Sequence, residues 1–338
     1  MSLNSHVPET NPMRAKFAGL AIICAASFTL CQAQMVQSVR VAKSANYVQT
    51  NATTVILDTK PQVPNYGGPY GFGADVTGSD LSGITPPALT LAAGSTFNDS
   101  LNFAGQLAWD AESGEWRFGL VNANDWGATS QAVIDSLFAN GIYRFTVLGT
   151  LVQLNLSGNA YPNVPVATLS GGSWLNGQYV MNAGVPLTIT TSSFTDYGRH
   201  ADDIIHIHTD GTMAAISQHS SSPGTSSLSY TVPSNSLAGG RTHFIQIAFT
   251  AVVSMDTSLP GSVNFAGYSQ WTGIQVVTLP RLTVESAGEK TVELTFTGIL
   301  QQSSDLKTWS DVTPQPASPF ITPALGASMF YRARAEGN

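Results

Sequence analysis

Residues 199–211, "RHADDIIHIHTDG", place three histidines and three carboxylates among thirteen positions of a chain in which only 10% of residues are charged. Such a density of imidazole and carboxylate points first to metal ligation. If 202–210 is a strand, Ile205 and Ile207 face one way, and Asp202, Ile204, His206, His208 and Asp210 face the other. Alternate residues on one strand face lie about 6.5–7 Å apart. Two imidazoles so placed reach one zinc, copper or nickel ion at about 2.0–2.1 Å per bond. Asp210 is the natural third ligand, with His200 and His219 as substitutes. The plainer reading of the same residues is the solvated face of a sheet strand, which His-x-His satisfies with no ligand. No His-Glu-x-x-His motif accompanies the cluster, so the plainer reading is preferred and a divalent metal is the minority one.

A second chemical candidate is "AWDAESGEWRFG", which sets Leu107 and Trp109 against Trp116 and Phe118 across a turn at 110–114. Paired tryptophans on facing strands serve either as a cross-strand core pair or as a platform on which sugars stack. Trp109 and Trp116, with Trp126 in "NANDWG", are therefore the candidate ligand-binding residues, with core packing the bland alternative. "NANDWG" and "DVTGSD" carry oxygen ligands, but neither fits a calcium-binding loop. There is no Gly-x-Ser-x-Gly elbow and no Gly-x-x-x-x-Gly-Lys frame, so no catalytic residue is assigned and no resident cofactor is implied.

The elements that must position these groups read as strands nearly throughout. "NGIYRFTVLGT", "RTHFIQIAFT" and "KTVELTFTG" each alternate apolar and polar residues with period two, between clusters rich in Gly, Pro, Asn and Ser. One helix is expected over "SQAVIDSLFANG", with Ser130 as N-cap, Val133, Ile134, Leu137 and Phe138 on one face, and Asn140-Gly141 as the stop. The chain has 338 residues, enough for two or three cores. Its net charge of −7 and lack of a basic stripe exclude nucleic acid as the expected partner. Arg14 and Lys16 precede an apolar run ending in Cys31-Gln32-Ala33, which reads as a secretory signal cleaved near Ala33, from a start at Met1 or Met13. Cys24 and Cys31 both lie in that segment, so the mature chain is expected to have no disulfide and no transmembrane segment.

"LFANGIYRFTV" and "SLAGGRTHFIQI" share an apolar residue, a Gly turn, and then an alternating strand. This resembles the Leu…Gly-x-Tyr corner of immunoglobulin-like and fibronectin-III-like sandwiches, with His243 standing where the pattern has Tyr. Leu300, Ser303-Ser304-Asp305-Leu306, Trp309 and Phe330-Tyr331-Arg332 resemble a short terminal β-module of secreted bacterial proteins. The fold class implied is all-β: two antiparallel immunoglobulin-like sandwiches in tandem plus a small C-terminal module. The expected division is a signal peptide at 1–33, sandwiches at 34–160 and 161–280, and the module at 281–338. The function this implies is secreted, non-catalytic binding or adhesion at the cell exterior, with an extracellular glycan as the partner. A secreted carbohydrate-active enzyme with converging carboxylates, and a metal-binding protein using His206 and His208, are the alternatives.

Overall fold

Period-two alternation becomes β-strand along most of the chain. The computed structural model describes residues 36–59, 68–98, 103–111, 113–118, 127–209, 213–222, 224–324 and 329–335. The signal segment, Trp126 and Asp210 lie outside them. The first elements are β1 (Val36–Gln49), β2 (Val55–Leu57), β3 (Tyr70–Gly78), β4 (Ala88–Thr90), β5 (Ala108–Asp110), β6 (Glu115–Arg117) and β7 (Gly127–Ala128). Helix α1 (Gln131–Leu137) follows, then β8 (Gly141–Val147) and β9 (Thr150–Leu156). The middle of the chain forms β10 (Ala167–Ser170), β11 (Gly172–Leu175), β12 (Gln178–Asn182), β13 (Leu187–Thr191), β14 (Asp202–Thr209), β15 (Met213–His219), β16 (Ser229–Val232), β17 (Thr242–Asp256) and β18 (Val263–Leu279). The last part forms β19 (Leu282–Gly288), β20 (Thr291–Phe296), β21 (Ile299–Ser303), β22 (Ser310–Asp311), β23 (Phe320–Pro323) and β24 (Phe330–Arg334).

The chain is all-β with one α-helix among the described residues, and most strand pairs are antiparallel. A large sheet runs in the order β15-β14-β17-β18-β1-β3-β6-β5, with β2, β7, β11 and β12 paired onto its members. Its spine differs from the short antiparallel strands expected. β1, β17 and β18 are 14, 15 and 17 residues long, and β18 pairs in parallel with both β1 and β12. Parallel pairing needs a long return path, and the chain between β1 and β18 supplies one.

Two three-stranded sheets pack on one face of this sheet. β4-β8-β9 covers a core in which Val41, Phe72 and Val76 of the large sheet meet Tyr143, Phe145 and Leu154. β10-β13-β16 covers a second core, where Ile207, Ile247 and Ile274 meet Leu187, Ile189 and Val232. The expected division at 160/161 falls between the two covering sheets, while the sheet beneath runs across it. Ser38 through Val48 pair residue by residue with Val263 through Gly273. The connection itself is fastened. Gln49 donates from Nε2 to the Ala167 carbonyl and accepts from its N–H, both at 2.8 Å, and Thr272 Oγ1 donates to the Pro165 carbonyl at 2.7 Å.

The local signals mostly hold. Ser130 caps α1 by accepting from the Val133 N–H, and Ile134 and Phe138 are buried. Val133, expected on the apolar face, is instead 44% exposed, because one short helix buries only a narrow stripe. Tyr143 OH donates to the Ala139 carbonyl at 2.8 Å, the corner bond the resemblance implies. His243 makes the equivalent bond, from Nε2 to the Ala238 carbonyl at 2.8 Å, so the second corner keeps its bond with an imidazole in place of a phenol. Residues from Leu282 onward form two small sheets, β19-β20-β23 and β22-β21-β24, around Leu294, Phe296 and Leu300. That unit sits against the rest at Gly239, where an added Cβ would lie 2.5 Å from Thr297 Oγ1.

Candidate binding face

Strand alternation gives the large sheet a second face, turned away from both cores. On β18 the residues of that face are Phe265, Gly267, Ser269 and Trp271, while Ala266, Tyr268 and Gln270 point inward. β1 contributes Arg40, Ala42 and Ser44, β3 contributes Gly73 and Asp75, and β17 contributes Thr250. Register aligns them: Ser44 with Ser269, Ala42 with both Gly267 and Gly73, and Arg40 with both Phe265 and Asp75. The result is a groove of about 130 Å³ with small residues as its floor and aromatic rings as end walls. At Gly267 a Cβ would come within 2.8 Å of the Ala251 carbonyl, so this point of the floor has no room for a side chain.

The polar groups of the groove are fixed. Arg40 Nε donates to Asp75 Oδ1 at 2.7 Å, and the hydroxyls of Thr250 and Ser269 lie 2.8 Å apart. Ser44 Oγ is buried at the floor and, among the described residues, has no hydrogen-bond partner. A buried hydroxyl left unpaired costs about 1–3 kcal/mol. Beyond Asp75, the sheet edge continues as ion pairs of Arg117 with Glu115 at 2.7 Å and with Asp110 at 3.4 Å.

The histidines singled out from the sequence border this groove. His206 pairs in register with Ala248, which pairs with Trp271, and the His206 and Trp271 rings meet at 5.9 Å and 66°. His206 and His208 share a face as expected, their rings parallel within 10° at 6.2 Å. His206 Nδ1 lies 2.8 Å from Ser217 Oγ. Burial, with smaller contributions from the charges of His208 and Arg40, lowers its pKa to about 4, so the ring is neutral at pH 7. Among the described residues no three His, Cys, Asp or Glu side chains gather to hold a metal ion.

The other substitutes for a third ligand are engaged elsewhere. His219 Nδ1 donates to Asp202 Oδ2 and His200 Nδ1 to Asp203 Oδ1, each at 2.7 Å. Asp202 also accepts from the Ser221 N–H at 3.0 Å, and Asp203 from the Gly198 N–H at 2.7 Å. Burial works to raise the Asp202 pKa, but these donors outweigh it and hold the carboxyl below its ordinary value. The two buried carboxylates thus tie together the loops at the open end of the β14–β15 hairpin.

The two tryptophans of the expected pair differ in burial. Trp109 and Trp116 do face each other across β5 and β6, with ring centroids 5.5 Å apart. Trp116 is only 6% exposed, joins the first core, and donates from Nε1 to the Leu81 carbonyl at 2.9 Å; Trp109 packs against the same core half-buried. Trp116 is enclosed while Trp109 keeps part of its surface open, and Trp271 is the groove's tryptophan. Its sequence signal was available in "NFAGYSQWTG", where two aromatics bracket Gly267 and Ser269 on one strand face. A larger cavity of about 420 Å³ lies between the middle unit and the C-terminal one, bordered by Asn182, Asn235, Arg281, Glu285 and Phe296. None of the buried polar atoms that lack a partner lies on its wall.

No helix among the described residues is long and apolar enough to cross a membrane. No family model matches the chain, and no curated protein does. Among solved structures, the chain is similar to the FN1–FN3 domains of chicken CNTN1 at 10% identity and a TM-score of 0.19, over 90% of each chain. It is similar to a marsupial T cell receptor at 11% identity and a TM-score of 0.22, over 88% of this chain and 99% of that one. It is also similar to a tetra-tandem repeat from the extending region of a large adhesion protein, at 12% identity and a TM-score of 0.19, over 88% of this chain and 66% of that one. At such TM-scores neither the fold described above nor a role for this chain rests on them.

Proposed function

We propose that this chain is a non-catalytic binding protein of the cell exterior and that it holds a glycan along the outer face of the large sheet. The observation that carries this reading is the groove itself, in which the partly open Trp271 ring stands on one strand face with the Arg40–Asp75 pair. A sugar offers hydroxyls that both donate and accept beside apolar C–H faces that lie on aromatic rings, which matches this combination. Phe265 and Trp271 stand six residues apart on β18, about 20 Å at 3.3 Å per residue, and offer an apolar ring at each end of the groove. Binding is favoured over hydrolysis because the carboxylates of this face are ion-paired with Arg40 and Arg117, whereas a glycosidase needs a protonated acid opposite a carboxylate.

Titration with soluble oligosaccharides, followed by tryptophan fluorescence, tests the reading. A saturable change in the native protein that is lost in Trp271→Ala and weakened at least tenfold in Asp75→Ala is expected. Equal binding by Trp271→Ala would overturn the assignment of this face.

A further inference from the structure

Lys43 is the one charged side chain of β1 that points into the first core, where it is 0% exposed. Its Nζ donates to Asp135 Oδ1 on α1 at 2.6 Å and to Asn140 Oδ1, just before β8, at 2.8 Å. The same Asn140 oxygen accepts from Tyr268 OH at 2.9 Å, and Asn140 Nδ2 donates to Asn159 Oδ1 at 2.8 Å. An amine, a carboxylate able to take its proton, and a carboxamide whose oxygen is held by two donors therefore meet at one point. Burial favours the uncharged amine and lowers the Lys43 pKa, an effect that its bond and charge interaction with Asp135 oppose. The carboxamide carbon lies one bond, about 1.2 Å, beyond the contacted oxygen, so a short shift of the amine from oxygen to carbon brings it to attack.

We propose that Lys43 and Asn140 join as an intramolecular amide, with Asp135 as the acid–base group. The Lys43 ammonium gives a proton to Asp135, and the freed amine attacks Asn140 Cγ. The negative charge that develops on Oδ1 is held by Tyr268 OH, as donors hold an oxyanion. Collapse breaks the Cγ–Nδ2 bond as Asp135 returns the first proton to the departing nitrogen; the second proton, shed by the Lys43 nitrogen once it is bonded to Cγ, follows by the same carboxylate, and ammonium leaves. One C–N bond forms, one breaks, no redox partner is needed, and the exposed side of Asn140 gives the product a way out. The bond ties the middle of β1 in the large sheet to the start of β8 in the covering sheet, closing a loop between residues separated by 97 positions.

Tryptic mapping of the purified full chain tests it. Lys60 precedes Pro61, so a linked and therefore uncut Lys43 leaves the peptide 41–117, joined to the peptide 118–144. The expected species is that pair, one ammonia lighter than the two peptides together, in the native protein and absent from Lys43→Met. Asp135→Asn, with native circular dichroism, is expected to be cut after Lys43 and to show 44–117 and 118–144 apart. Separate peptides of full mass in the native protein would overturn the proposal and leave an ion pair. A separate 118–144 lighter by one ammonia would also overturn it, because Asn140-Gly141 can close on its own backbone as a succinimide. A joined pair lighter by one water would move the bond to Asp135 and overturn the assignment of Asn140, and full linkage in Asp135→Asn would overturn the role of Asp135.

Discussion

The two covered ends of the large sheet solve the same packing problem with different side chains. The first is aromatic: Phe72 stacks on Phe138 at 3.9 Å and 5°, and Phe118 packs edge-on to both. The second is largely aliphatic, with Ile207, Ile245, Ile247, Ile274 and Val276 at its centre. Each end has a corner in which the first inward side chain of a strand bonds back to a carbonyl just upstream. The donor is Tyr143 at one end and His243 at the other. What is shared is the position of the donor atom, and a phenol or an imidazole can deliver it.

The comparison can be strained at three points. Phe138→Ala empties the stacked aromatic site, and a loss of about 3–5 kcal/mol is expected in chemical unfolding, against about 1 kcal/mol for Ile247→Val in the aliphatic core. Equal losses would mean that the two cores tolerate truncation alike. The second effect belongs to the aliphatic end alone. His206 titrates near pH 4 in the folded chain and near 6.5 when unfolded, so the unfolded state takes its proton first as pH falls. Stability is therefore expected to drop between pH 6.5 and 4, by on the order of 2 kcal/mol after discounting for the ring's partial exposure. His206→Gln should flatten that slope, and an unchanged slope would place its origin elsewhere. The smallest difference lies at the corners. Tyr143→Phe removes the side-chain donor to the Ala139 carbonyl and should cost about 1 kcal/mol. His243→Phe should cost less, because the Ala238 carbonyl still accepts from Thr278 Oγ1 at 2.6 Å. Combining His243→Phe with Thr278→Val should bring the two corners level in a thermal melt.

Much of the local structure was legible because period two and capping are local signals. Tyr143, Phe145 and Val147 are buried on β8, Ile245 and Ile247 on β17, and Ser130 caps α1, as their spacing requires. The pairing of strands was not legible, because alternation fixes which face a residue takes and says nothing of its neighbour. β1 finds its parallel partner more than two hundred residues along the chain, where Val39 N–H donates to Asn264 Oδ1 across a separation of 225 positions. The groove was hidden for the same reason. Ser44, Asp75 and Trp271 come from three strands, and none of the three stands out within its own. The histidine stretch was visible because its density lies almost within one strand, yet Asp202 and Asp203 fasten loops, and His206 flanks a wall built by Trp271.

Sharing β17 and β18 between both cores, with β1 paired along β18, also bears on how such a chain can change over generations. Beads on a string can be duplicated, deleted or exchanged at their linkers, since few contacts cross them. Here a break near residue 160 would separate β1 from β18 along the register from Ser38 to Val48 and expose long unpaired strand edges, which invite aggregation. The two ends can drift in side chains, as their corners have, but they must be inherited together.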